Sequence, residues 1–138
     1  MVQILTGEKG EGKTKKLIEL ANTHVKNAHG NVVFIDSNKR HMYDLNYNIR
    51  FIETSNFPLS NYRELIGFIY GVLSQDNDIE VIYIDGLLKI VNKLDNDDIV
   101  KLVNKLRSLS EDNNLNFVIG ANILNDEIPD EIKDCIMK

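Results

Sequence analysis

The sequence predicts an α/β fold, a parallel β-sheet flanked by helices on both faces. Three observations carry that expectation. Short apolar runs alternate with longer segments in which apolar residues recur every three or four positions, the pattern of strands joined by crossover helices. The first run, Val2-Gln3-Ile4-Leu5, leads into Gly7-Glu8-Lys9-Gly10-Glu11-Gly12-Lys13-Thr14, which satisfies G-x-x-x-x-G-K-[ST] at every position. A later run, Val81-Ile82-Tyr83-Ile84-Asp85, is nearly continuous in apolar residues and closes on an acid, as a strand covered on both faces does when it reaches a polar sheet edge.

After the glycine-rich turn, Leu17, Ile18, Ala21 and Val25 share one helical face. Gly30-Asn31 turns the chain into a second strand, Val32-Val33-Phe34-Ile35. A polar stretch from Ser37 to Asn48 leads to Arg50-Phe51-Ile52-Glu53-Thr54, a short, partly exposed strand. Asn61 and Glu64 have capping-box spacing and open a helix bearing Leu65, Phe68, Ile69, Val72 and Leu73. Gly67 and Gly71 inside it lower helix propensity, and close packing is the reading that would explain them. Asp95 and Asp98 cap a helix with the stripe Ile99, Leu102, Val103, Leu106 and Leu109. The last clear strand is Asn116-Phe117-Val118-Ile119-Gly120-Ala121-Asn122, and Pro129 suits the first turn of a terminal helix with Ile132 and Ile136.

Composition narrows the function classes. At 138 residues the chain reads as one domain over 1–138, long enough for a real core and too short for two. A net charge of −5 removes the electrostatic case for nucleic acid or an anionic membrane as partner. The single cysteine, Cys135, has no internal disulfide partner, so a reducing, cytoplasmic setting is expected. No apolar stretch approaches a membrane span, and Met1-Val2-Gln3 runs straight into the first strand without a signal peptide. His24, His29 and His41 lack metal-ligand spacing with one another or with Cys135.

The glycine-rich turn carries the chemistry. Glycines let successive backbone N–H groups curl around a phosphate, and the helix that follows adds its positive end to the same site. Lys13 supplies a mobile positive charge for the outer phosphates, and the Thr14 hydroxyl is a ligand for Mg²⁺. The opposing reading is a chance Gly/Lys-rich turn, but strand and helix stand where the motif needs them. Glu8 and Glu11 fit only if they point outward. Lys9, Lys15 and Lys16 flank the loop and read more simply as solvated lysines. Lys39-Arg40-His41 reads as a solvated turn, with a contact to a partner's phosphate as the sharper alternative. Asp85 matches the Walker B pattern, a carboxylate that holds Mg²⁺ through its water shell opposite Thr14. Alone that signal is weak, because strands end in Asp for turn reasons too.

With these residues in hand, the chain resembles the RecA-like ATPases over nearly its whole length. Val33-Phe34-Ile35-Asp36-Ser37-Asn38 is similar to that family's second core strand, and residues 81–85 with Gly86-Leu87-Leu88 to its Walker B strand and exit. The resemblance implies ATP and Mg²⁺ as ligands and residues 7–14 as the nucleotide-binding segment. It implies a sheet ordered as the phosphate-loop strand, strand 117–121, strand 81–85, strand 32–36. It also makes Asn122 a sensor of the γ-phosphate, with a turn-capping Asn as the plain alternative. The catalytic candidates are therefore Lys13, Asp85 and Asn122, and the metal candidates Thr14 and Asp85. The chain departs from the family where a water-orienting Glu is expected: Asn38 stands at one such place and Gly86 at the other. Neither is a general base; Asp36 and Glu53 are the candidate substitutes, although neither matches by position.

Two function classes stay open. One is a slow Mg²⁺-dependent ATPase that couples nucleotide state to a protein partner or a homo-oligomer. The other is a regulatory or adaptor module that holds ATP and hydrolyses it little. A small-molecule kinase is a weaker third, since no long insertion is present to form a lid.

Overall fold

A computed structural model describes residues 1–10 and 12–137. Among these the elements run β1 (Val2–Leu5), α1 (Lys13–Lys26), β2 (Asn31–Asp36), β3 (Arg50–Glu53), α2 (Tyr62–Gln75), β4 (Ile79–Ile84), α3 (Leu87–Ile90), α4 (Asn96–Asn113) and β5 (Asn116–Gly120). The five strands form one sheet in the order β1-β5-β4-β2-β3, and every pairing is parallel. This is the order implied by the family resemblance.

Strand composition explains why both faces are covered. Successive side chains of a strand point to opposite faces. Val32, Phe34, Val81, Tyr83 and Val118 therefore project to one side, where α1 meets them with Leu17, Ile18 and Ala21. Val33, Ile35, Ile82, Ile84, Phe117 and Ile119 project to the other and pack under α2 and α4 through Leu65, Ile69, Leu102 and Leu106. The α4 stripe is buried as its spacing predicts, and Asp95 and Asp98 close a reciprocal capping box that satisfies two otherwise free N–H groups.

Several local expectations are corrected. Asn61 does cap α2 by accepting from Glu64 N at 3.0 Å, but the Glu64 carboxylate accepts from Ser60 N at 2.6 Å instead of closing the box on Asn61. Gly67 and Gly71 are exposed on α2, and a Cβ on either would meet nothing within 4 Å, so close packing does not explain them. The terminal segment is a 3-10 helix, Asp130–Cys135, rather than an α-helix. Pro129 precedes it, and Ile136 then forms a parallel bridge to Ile4 while Met137 N donates to Ile4 O at 2.8 Å. Pairing with the free edge of β1 satisfies backbone groups that another helical turn would leave to water. Strand β5 ends at Gly120, which leaves Asn122 just beyond its tip. The stretch 37–49 contains a 3-10 turn, Met42–Asp44, and α3 starts directly after Gly86.

Candidate functional site

All five strands are parallel, so their C-terminal ends open on one edge of the sheet, where ligands of such folds collect. The register aligns the tips. Ile35 pairs with Ile84, Ile84 with Ile119, and Gly120 with Leu5. Asp36, Asp85, Gly120 and the start of the glycine-rich loop are thus neighbours along that edge. Asp85 N donates to Ile35 O at 2.9 Å, which holds the two acidic tips side by side.

The loop leaves β1 through Gly7, whose N–H donates to Ile123 O at 2.9 Å. It enters α1 at Gly12, in the left-handed region at φ 82 with no side-chain cap. A side chain there would be strained, and without a cap the first-turn N–H groups of α1 are left for an external acceptor. Lys13 is 9% exposed, and its ammonium donates to the Glu8 carbonyl. The loop's own backbone thereby positions the charge.

β5 lies between β1 and β4, so the loop strand and the Asp85 strand are about 10 Å apart. A group spanning them must pass over the tip of β5. Gly120 keeps that passage clear: a Cβ there would fall 2.7 Å from Leu17 Cδ1 and 3.3 Å from Asp85 Oδ1. The result is a cleft of about 730 Å³ lined by Lys9, Gly10, Gly12, Lys13, Thr14, Asp36, Asn38, Asp85, Gly86 and Asn122, among others. The cleft thus collects Lys13, Thr14, Asp85 and Asn122 together, from three separate segments of chain. Gly7 and Glu8 stand on the strand side of the loop, Glu8 exposed, and neither lines the cleft. Glu11 lies outside the described residues.

Sequence reasoning did not place several lining residues. Lys15, Ile18 and Glu19 of α1 and Arg40, His41 and Asp44 of the 37–49 stretch also line the cleft. Lys15 and Arg40 had read as solvated cations. No spacing rule brings 40–44 to α1; Asn22 does so, with Nδ2 donating to Asp44 O at 2.9 Å and Oδ1 accepting from Asn46 N at 2.7 Å. By sequence Asp36 is only an off-position substitute for the missing Glu. It is 4% exposed and reaches the cleft. Burial first, then the charge of Asp85, pushes its carboxyl above the usual carboxylate range, while N–H groups of Ser37 and Asn38 and the charge of His41 oppose the shift. Glu53, by contrast, accepts from Ser55 Oγ at 2.6 Å and faces Lys39 at 3.8 Å, outside the cleft lining.

No helix among the described residues is long and apolar enough to cross a membrane. No protein-family profile matches the sequence, and no curated protein matches it. The fold does have solved counterparts. The crystal structure of flagellar accessory protein FlaH from Methanocaldococcus jannaschii superposes with a TM-score of 0.56 at 14% sequence identity, covering 95% of this chain and 64% of that one. This chain therefore spans under two thirds of the FlaH chain's length. At that identity the likeness is one of fold: an α/β architecture with a five-stranded, all-parallel sheet carrying helices on both faces.

Proposed function

We propose that this chain binds a nucleoside triphosphate, ATP in the first instance, with Mg²⁺, and hydrolyses it slowly to signal nucleotide state to a partner. The observation that carries the reading is the meeting of Lys13, Thr14, Asp85 and Asn122 in one cleft at the C-terminal edge of the sheet, beside the uncapped N-terminus of α1. The donor set fits the ion: a hydroxyl and a carboxylate are the hard oxygen ligands Mg²⁺ prefers. When bound, Mg²⁺ neutralises charge on the outer phosphates. The chain's own residues do the rest. The backbone N–H groups at the start of α1 would receive the phosphates, Lys13 would turn its ammonium from the Glu8 carbonyl to the outer phosphates, Thr14 and Asp85 would hold the ion, and Asn122 would serve as the γ-phosphate sensor.

Slow turnover follows from two residues. Asn38 spends its side-chain oxygen on Arg40 N at 2.9 Å, a turn contact, and Gly86 has no side chain to offer. That same observation favours the second reading, a module that holds ATP with almost no hydrolysis. FlaH is named a flagellar accessory protein, and an accessory role accords with service to a partner protein. Residues 7–14 are the proposed nucleotide-binding segment, with the side chain of Glu8 turned to solvent.

Calorimetric titration of Mg²⁺-ATP tests the reading. Wild-type protein should bind, and Lys13→Ala should weaken binding by about 2–5 kcal/mol, the cost of removing one member of a desolvated charge pair. Equal affinities would sink the assignment of the loop. Product analysis in the same samples separates slow hydrolysis from none.

A further inference from the structure

We propose that Asp36 is the residue that orients the attacking water, in place of a glutamate at either of the usual positions. This rests on the ATP-binding reading above and deepens it.

The first support is position. Asp36 ends β2, the strand next to β4, and the Ile35–Ile84 register sets it beside Asp85. It is 4% exposed and lines the same cleft as Lys13 and Thr14, so what remains accessible of it opens on that cleft. The second support is how the carboxylate is held. Oδ1 accepts from Ser37 N at 2.6 Å, which fixes its direction; His41 is the one side chain whose charge favours the carboxylate, and its Nδ1 faces Asp44 at 3.2 Å. A buried carboxylate beside another carboxylate is costly. If its task were only to turn the chain after β2, Asn or Ser would perform it without the charge.

The third support is elimination by geometry. Among the described residues, four carboxylates line the cleft: Glu19, Asp36, Asp44 and Asp85. Glu19 is exposed on α1 more than one turn beyond Lys13. Asp44 is exposed and engaged with His41 Nδ1 at 3.2 Å. Asp85 is reserved for the ion. Glu53 is one strand further out and outside the lining. Asp36 remains.

In the step it would serve, Asp36 accepts a hydrogen bond from the water. The water oxygen bonds to the γ-phosphorus as the bond to the β,γ-bridging oxygen breaks. The bonding pair departs with ADP, and the water's protons leave with the inorganic phosphate and the solvent. An Asp is one methylene shorter than a Glu and stands a step back from the usual positions, in keeping with slow turnover.

The test compares wild type, Asp36→Asn and Glu53→Gln for Mg²⁺-ATP affinity, single-turnover hydrolysis and affinity for ADP–aluminium fluoride, a mimic of the transferring phosphoryl group. The expected result for Asp36→Asn is an ATP affinity within about twofold of wild type, hydrolysis lower by about a hundredfold, and ADP–aluminium fluoride binding weaker by at least about tenfold. Glu53→Gln should match wild type in all three. Hydrolysis and fluoride-complex binding retained in Asp36→Asn would overturn the inference, and so would a parallel loss of ATP affinity, which would make Asp36 a binding or folding residue. ATP binding by wild type with no turnover at all overturns it too, while leaving the binding reading intact. Absence of ATP binding by wild type overturns the reading beneath it.

Discussion

At the scale of single residues, the cleft concentrates groups that the fold would be more stable without. Asp36 is the clearest. Its carboxyl is raised by burial and by Asp85, so the unfolded chain ionises it more readily than the folded one. Below about pH 4 both states hold the proton and the penalty vanishes. As pH rises through the raised value, the folded protein must carry a buried charge and stability falls. Asp36→Asn keeps an oxygen for Ser37 N and should raise unfolding stability at pH 7 by about 0.5–2 kcal/mol, the gain common when a strained functional group is replaced. The advantage should close near pH 4. Denaturant melts of both proteins at the two pH values, without nucleotide or Mg²⁺, check this; a gain that persists in acid would mean that electrostatics is not its source. Tyr83 shows burial acting on a core group instead: 3% exposed and stacked on Phe34 at 6.1 Å, its phenol is pushed up to about 12 and stays neutral at physiological pH.

At the scale of elements, α2 and α4 flank the same face of the sheet with different local quality. α4 has a full capping box and an uninterrupted buried stripe, whereas α2 spends two outward positions on glycine. Since nothing approaches within 4 Å of a Cβ at Gly67 or Gly71, those residues cost helix propensity and return no packing. Gly67→Ala and Gly71→Ala should each stabilise the protein by about 0.5–1 kcal/mol, additively within error, as read from midpoint shifts in urea at constant slope. A loss of stability at either position would point to a contact of α2 outside the described residues. At the opposite edge of the sheet from the cleft, the end of α1 is tied to β4: Glu80 faces His24 Nε2 at 2.5 Å and takes the N–H groups of His29 and Gly30 at 3.2 and 3.1 Å. The His24 contact, with those N–H groups, holds the Glu80 carboxyl below the usual range. Its contribution is present above the ordinary Glu value and is lost as pH falls through the lowered one, the reverse of Asp36.

At the scale of the molecule, the cleft draws on the ends of β1, β2, β4 and β5 and on the start of α1, so a ligand seated there bridges most of the sheet. Binding should therefore stabilise global unfolding and not just the loop. At a free ligand concentration a hundred times Kd the gain is about 2.7 kcal/mol. Mg²⁺-ATP should raise the melting temperature in a concentration-dependent way and slow amide exchange in the central strands β4 and β5. Protection confined to the loop and the first turn of α1, with an unchanged melting temperature, would mean that the strand tips do not take part.

Much of this was legible in the chain itself. Five strands, the three long helices, the α4 cap and the set Lys13, Thr14, Asp85 and Asn122 could be read because each depends on local rules: apolar period, glycine at a left-handed turn, a polar residue where an apolar run stops. What the tertiary structure decided is everything that requires strands distant in sequence to lie side by side. The register of β2 on β4 makes Asp36 a neighbour of Asp85. The insertion of β5 between β1 and β4 turns Gly120 into the clearance between loop and acid. The Asn22 contacts carry Arg40, His41 and Asp44 to the wall of the cleft. The end of the chain stops its 3-10 helix at Cys135 and bridges Ile136 to Ile4, because the free edge of β1 presents backbone groups that a neighbouring extended segment can pair, and no local pattern encodes where that edge lies.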